Sequence, residues 1–176
     1  MSETSSTPPV QRAEPSFAQA RLWFIDQLRP STGMSNVPLT IRVRGGVRAE
    51  DVRRALGLVV NRHEALRTRF VSDQGIPYQE IHVSVPIDLT TVDLRGEPDG
   101  MRTNQELRRL ASAAIPLDSL PLFRTQMLIE RDGAVVVQLV MHHIITDGWS
   151  LGVLRRDLSA ALTGSFDDLA PLTSQY

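Results

Sequence analysis

An apolar run that ends in two adjacent histidines constrains the fold of this chain more than any other stretch. Residues 134–141 read Ala-Val-Val-Val-Gln-Leu-Val-Met, a β-branched pattern that predicts a buried strand. Residues 150–158 carry apolar side chains at helical spacing, and Ser150 is the expected N-cap of that helix. A central strand that passes through a short turn into a packed helix is therefore predicted here.

The histidines lie where this strand ends. Adjacent side chains on a strand point to opposite faces, so one of His142 and His143 is expected in the packed interior and the other in a cleft. Imidazole suits proton transfer near neutral pH. Asp147 follows closely, and Gly148 permits a tight turn whose N–H approaches a ligand. The pattern favours a functional site over two ordinary core or surface histidines.

The remaining segments predict a mixed β-sheet sandwich with flanking helices, an α+β fold. Alternating and apolar runs indicate strands, and apolar residues at helical spacing indicate helices. Pro86 marks its strand as an edge strand. Helices are expected at residues 16–28, 49–63, 104–115 and 150–163, and further strands at residues 37–44, 66–71, 77–83, 85–92 and 121–130.

Composition excludes several classes of protein. The 176 residues have a net charge of −1 with scattered basic side chains, which argues against a nucleic-acid partner. The absence of cysteine excludes disulfides and thiolate sites. No apolar stretch is long enough for a membrane span, and residues 1–14 are polar, without the apolar core of a signal peptide. A cytoplasmic protein with a disordered N-terminal tail or linker is expected.

Two further segments are informative, and the second leaves a structural question open. The helix at residues 16–28 is expected to bury Leu22 and Ile25. Residues 62–64, Arg-His-Glu, join a helix to a strand, and they form either a buried ion-pair cluster or a solvated helix end. The general weakness of exposed ion pairs favours the solvated end.

Three motifs together resemble the condensation domains of nonribosomal peptide synthetases. Residues 142–148 match His-His-x-x-x-Asp-Gly, residues 16–23 match Ser-x-Ala-Gln-x-Arg-Leu-Trp, and residues 62–70 match Arg-His-Glu-x-Leu-Arg-Thr-x-Phe. The resemblance covers residues 15–176 and implies the N-terminal lobe of the chloramphenicol-acetyltransferase-like fold. The C-terminal lobe is absent from the sequence, so the fragment is expected to be inactive alone and to expose an apolar face that favours self-association.

The resemblance also implies the reaction. Condensation domains form a peptide bond between donor and acceptor aminoacyl thioesters, which arrive on the phosphopantetheine arms of carrier proteins. Carrier proteins and the second lobe are thus the expected partners, and no cofactor or metal is expected to bind directly. The motifs at residues 16–23 and 62–70 resemble the subtype that accepts an L-configured donor.

For the site, the resemblance implies a catalytic role for His143, with the Gly148 N–H as a donor to the developing oxyanion. His142 is expected to support the site by packing and hydrogen bonding. Asp147 has the same supporting role, because the matching aspartate of related acyltransferases pairs with an arginine. Arg62 and Arg67 are the available partners, and Arg62 is slightly favoured.

Other interpretations stay open. The fold also suits a non-catalytic docking module for a carrier protein, or an ester-forming acyltransferase that acts on a free alcohol. A Ser150–His143–Asp147 triad lacks the expected Gly-x-Ser-x-Gly elbow. A metal site that includes both histidines conflicts with strand alternation. Trp149 is expected to fill the core.

Overall fold

The fold is built on two sheets, and the apolar run before the histidines is a strand of the larger one. The computed structural model describes residues 10–28, 33–97, 100–172 and 174–175. Strands are β1 (Gln11–Ala13), β2 (Asn36–Val43), β3 (Thr68–Asp73), β4 (Ile76–Ile81), β5 (Leu89–Asp93), β6 (Phe123–Ile129) and β7 (Val135–His142). Helices are α1 (Phe17–Leu28), α2 (Ala49–Arg62), α3 (Met101–Ala111) and α4 (Gly148–Thr163), with short 3-10 helices at Glu64–Arg67, His143–Ile145 and Phe166–Asp168.

The larger sheet has the order β2-β7-β6-β5, and the smaller one β1-β4-β3. Strand β7 runs antiparallel to both neighbours, whereas β5 and β6 are parallel, so the larger sheet is mixed. All eight residues of β7 are buried, which explains why its sequence is apolar on both faces. The predicted α+β fold is confirmed, and β5 is the expected edge strand.

The core lies between the larger sheet and helices α2 and α4, which pack against each other. Inside the larger sheet, the side chains of Gln126 and Gln138 hydrogen-bond to each other and to the backbone of α3. Gln126 Nε2 donates to Gln138 Oε1 at 2.7 Å and to the Glu106 carbonyl at 3.1 Å, and Gln138 Nε2 donates to the Leu107 carbonyl at 3.2 Å. Fully buried core side chains include Val52, Leu56, Leu66, Phe70, Leu122, Met127, Leu139, Met141, Ile144 and Leu158.

Part of the expected N-terminal tail is ordered. Residues 11–13 form β1, in which Gln11 pairs with Ile81 at the edge of β4. Arg12 adds an ion pair to Glu80 at 3.2 Å and lies over the ring of Tyr78. The prediction of disorder is therefore wrong for this stretch, because a polar segment gains backbone hydrogen bonds from an open sheet edge. Residues 1–9 of the predicted tail lie outside the described residues.

Helix α1 is less buried than its apolar content predicts. Among its described residues only Gln19 is buried. Leu22 packs against the core as expected, but Ile25, Phe24 and Leu28 are exposed, so the predicted burial of Ile25 is wrong. No helix formed by the described residues is long and apolar enough to cross a membrane.

Candidate active site

The end of β7 places the two histidines in opposite environments, as strand alternation predicts. His142 is only 3% exposed, while His143, the first residue of the next 3-10 turn, is exposed. The His142 N–H donates to the Leu122 carbonyl at 3.0 Å, which continues the sheet to the last strand residue. The chain then turns away from the sheet and presents the His143 ring to solvent.

The His142 ring is buried and accepts a hydrogen bond from the backbone. Its Nδ1 accepts a hydrogen bond from the Ile144 N–H at 3.1 Å. Burial, and then the neighbouring His143, lower the pKa of His142 to about 4. The ring is therefore neutral near pH 7, and because Nδ1 accepts, the proton resides on Nε2. That nitrogen is buried and has no hydrogen-bond partner among the described residues.

The backbone of His143 is hydrogen-bonded to the loop that precedes β2. Its N–H donates to the Ser35 carbonyl at 2.7 Å. The next residue, Asn36, donates from Nδ2 to the carbonyls of Ala111 and Ala113 at 2.8 and 2.7 Å, at the end of α3. A neighbouring strand and a helix terminus thus fix where the exposed imidazole is presented.

Asp147 caps helix α4. Its Oδ1 accepts from the Ser150 N–H at 2.7 Å, and its own N–H donates to Ser150 Oγ at 2.7 Å, a reciprocal capping box. The N-cap is therefore Asp147 and not Ser150, contrary to prediction. Hydrogen bonds from the backbone and side chain of Ser150 hold the pKa of Asp147 below its usual range. Gly148 is the first helical residue, and first-turn N–H groups have no partner within their own helix.

The predicted ion pair between Asp147 and Arg62 or Arg67 is wrong. Arg62 Nε lies 3.1 Å from Oδ2 of Asp157, further along α4. Arg67 instead donates to four backbone carbonyls at the end of α2 and after β4. The carboxylate of Asp147 accepts hydrogen bonds from the N–H and the hydroxyl of Ser150, in the first turn of α4. The carbonyls that accept from Arg67 are those of Val60, Asn61, His82 and Val83.

A buried ion-pair cluster forms around Asp157, which has no exposed side-chain surface. Besides Arg62, its carboxylate contacts His63 Nε2 at 2.8 Å and Arg156 at 2.8 Å. For Arg62 and His63, this decides the open question in favour of a buried ion-pair cluster. Asp157 is a site residue that the motifs do not indicate. An acid between Leu154 and Leu158 nevertheless occupies the apolar face of the helix, which is a sequence signal for a buried partner.

Trp149 does not fill the core. Its side chain is 83% exposed and lies in the first turn of α4. It borders a cavity of about 320 Å³ that also contacts His63, Ser150 and Gln175. The cavity lies between the first half of α4, the turn after α2 and the C-terminal segment.

The alternative chemistries find little support in the geometry. The Ser150 hydroxyl bonds to Asp147 Oδ1 at 2.8 Å and to Thr146 Oγ1 at 3.0 Å, so it is engaged in the helix cap. Within the described ranges, no three histidine, aspartate or glutamate side chains are grouped closely enough to hold a metal ion. The turn thus presents the exposed imidazole of His143.

Replacement of Asp147 tests its capping role. Asp147→Ala should lower the free energy of unfolding by about 0.5–2 kcal/mol, because the N-cap oxygen is lost. Asp147→Asn keeps an oxygen that accepts from Ser150 and should remain close to wild type. Urea unfolding of both variants measures the difference. Equal losses in the two variants would show that the negative charge matters, contrary to a cap.

A sequence model of the condensation domain matches residues 11–166. Phosphinothricin tripeptide synthetase PhsC of Streptomyces viridochromogenes is 45% identical over 168 residues, which are 92% of this chain and 16% of that protein. Nonribosomal peptide synthetase kk1B of Curvularia clavata is 40% identical over 169 residues, which are 93% of this chain and 1% of that protein. The chain therefore spans a small fraction of the length of these curated relatives.

Solved structures share the fold. The first condensation domain of the CDA synthetase superimposes with a TM-score of 0.80 at 24% identity, over 94% of this chain and 42% of that chain. The first condensation domain of the calcium-dependent antibiotic synthetase, in complex with substrate analogue 2a, gives a TM-score of 0.78 at 27% identity, over 94% and 40%. The matched architecture is thus less than half of each of these solved chains.

Proposed function

Because this chain belongs to the condensation-domain family, we propose that it supplies the histidine-bearing lobe of an enzyme that joins two aminoacyl thioesters through an amide bond. Peptide-bond formation is the general function of that family, and the curated relatives are peptide synthetases. The observation that carries the proposal is His143: an exposed imidazole at the end of a fully buried strand, with its backbone anchored by Ser35.

In the proposed reaction, the amine of the acceptor attacks the thioester carbonyl of the donor. A C–N bond forms, the C–S bond breaks, and the thiol leaves with a proton. Since a thioester is already activated, no covalent enzyme intermediate is needed, and the positioning of two tethered substrates supplies much of the rate. His143 either removes a proton from the attacking ammonium or orients the amine by a hydrogen bond.

The first turn of α4 suits the negative charge that develops on the carbonyl oxygen. Gly148 is exposed, and its N–H belongs to the set of first-turn donors at the positive end of the helix dipole. We assign it as a donor to the oxyanion. Asp147, bonded to Ser150, and His142, bonded to Ile144, support the turn on either side of His143.

The proposed partners follow from the synthetase relatives. Donor and acceptor groups would arrive on the phosphopantetheine arms of carrier proteins, and the chain itself would bind no cofactor directly. A second lobe would complete the reaction chamber, since this chain corresponds to 42% of the CDA synthetase condensation domain chain. Residues 15–176 would form the first lobe together with β1, which precedes them in the chain and pairs with β4.

The test is an assay of the full-length protein that contains this chain. Carrier proteins loaded with donor and acceptor aminoacyl groups should yield a dipeptide detectable by mass spectrometry, with an L-configured donor preferred. Equal rates for D- and L-donors would defeat the subtype assignment. Carrier binding without any product would favour a docking module, and product formed from a free alcohol would favour an ester-forming enzyme.

A further inference from the structure

Helix α1 contacts the turn that carries His143 at two points. Gln19 Nε2 donates to the Ile144 carbonyl at 3.4 Å. Seven residues later, Oδ1 of Asp26 lies 3.8 Å from Nε2 of His142. Residues seven apart lie on the same face of a helix, so one face of α1 faces both the buried histidine and the turn that follows it.

The Nε2 atom of His142 requires an acceptor. Because Nδ1 accepts from the Ile144 N–H, the neutral ring carries its proton on Nε2, and that atom is buried without a hydrogen-bond partner among the described residues. A buried donor without an acceptor is costly. The Asp26 carboxylate lies roughly an ångström beyond a normal N–H···O distance, within reach of a small side-chain rotation.

We propose that Asp26 is a positioning residue, whose carboxylate accepts a hydrogen bond from Nε2–H of His142 and so holds the turn that presents His143. The imidazole of His142 is then bonded on one side to α1 and on the other to the Ile144 N–H, immediately after His143. The catalytic consequence rests on the proposed function of His143, whereas the hydrogen bond itself does not.

The environment of Asp26 agrees with this role. Its side chain is partly buried, and it lies beside Trp23 and Asp118 at a cavity of about 260 Å³. Burial, and then the charge of Asp118, raise the pKa of Asp26. A carboxylate in such surroundings is stabilised by a hydrogen-bond donor, and among the described residues the ring of His142 lies 3.8 Å from it.

Nitrogen NMR of the histidine rings tests the hydrogen bond directly, because the chain contains only four histidines. In the wild-type chain, His142 should be neutral with a downfield, slowly exchanging Nε2 proton. In Asp26→Leu this proton should move upfield and exchange at least about tenfold faster, since it has lost its acceptor. Asp26→Asn keeps an oxygen without the charge and should give an intermediate shift, a result available even if the leucine variant fails to fold.

Kinetics of the full-length protein test the positioning role. Asp26→Leu should lower kcat roughly 10- to 100-fold, as a misplaced catalytic group does, with KM for both carriers within about twofold of wild type. Asp26→Asn should recover most of kcat. Gln27→Leu, a change at the adjacent exposed position of α1, is the matched control and should resemble wild type.

The outcomes separate this inference from the proposed function. An unchanged His142 resonance in Asp26→Leu overturns the hydrogen bond, and a shifted resonance with unchanged kcat overturns the positioning role. A drop in kcat without a change in the resonance also overturns the inference, since Asp26 then acts by another route. Full activity in a His143→Ala variant would instead overturn the proposed function and leave the NMR result standing.

Discussion

His143→Ala should lower kcat for amide formation by about 10²–10⁴-fold, the usual contribution of a positioned acid–base group. The ring is exposed and has no hydrogen bond to a described residue, whereas its backbone N–H bonds to Ser35. Alanine keeps that backbone bond, so the midpoint of urea unfolding should stay unchanged. Dipeptide formation by the full-length protein, measured at saturating carrier concentrations, gives the comparison.

His143→Asn separates the two roles proposed for the imidazole. Asparagine retains a side-chain hydrogen bond but cannot take a proton near neutral pH. If His143 orients the amine, this variant should recover a large part of kcat relative to alanine; if it acts as a base, both variants should be equally slow. Wild-type kcat in His143→Ala would remove the histidine from the mechanism altogether.

Asp157→Asn should lower the free energy of unfolding by about 3–5 kcal/mol, because it leaves the largely buried guanidinium of Arg62 without its counter-ion. The carboxylate is completely buried and contacts Arg62 and His63, which join α4 to the end of α2, and Arg156 on its own helix. Asparagine has nearly the same volume, so the loss measures the charge and not a cavity. Urea unfolding at neutral pH gives the value.

The dependence of the free energy of unfolding on acid pH provides a second test of the cluster around Asp157. Burial acts to raise the pKa of Asp157, but hydrogen bonds and charge from Arg156 and His63 outweigh it, and the pKa lies below its usual range. Because the pKa of Asp157 is lower in the folded chain than in the unfolded chain, its carboxylate stabilises the fold at pH values above the ordinary aspartate pKa of about 3.9. This stabilisation is lost as the pH falls through the folded-state value. Asp157→Asn should therefore flatten that part of the pH profile.

Asp93→Asn is the matched control for this change. Asp93 also pairs with an arginine, Arg95, but both side chains are largely exposed. Exposed pairs contribute little to stability, so the unfolding midpoint should not move measurably. A loss in Asp157→Asn no larger than the loss in this control would contradict the importance of the buried cluster.

Local sequence was sufficient to predict the frame of the site. The β-branched run before His142 predicts a strand buried on both faces, and β7 is that strand. The one-residue offset between His142 and His143 predicts their opposite environments, because strand alternation is a property of the backbone. Apolar spacing after Gly148 predicts helix α4. These features depend on neighbours in the chain, so a short stretch of sequence determines them.

Only the tertiary structure decided which charged groups meet and which residues stay exposed. Asp147 and Asp157 lie on the same helical segment, and spacing alone cannot tell which of them reaches the end of α2. Packing of α2 against α4 brings Arg62 to Asp157, while the helix terminus occupies Asp147. Burial of an ion pair and the exposure of Trp149 depend on where distant elements end. Those positions follow from the assembled core and not from the periodicity of any one segment.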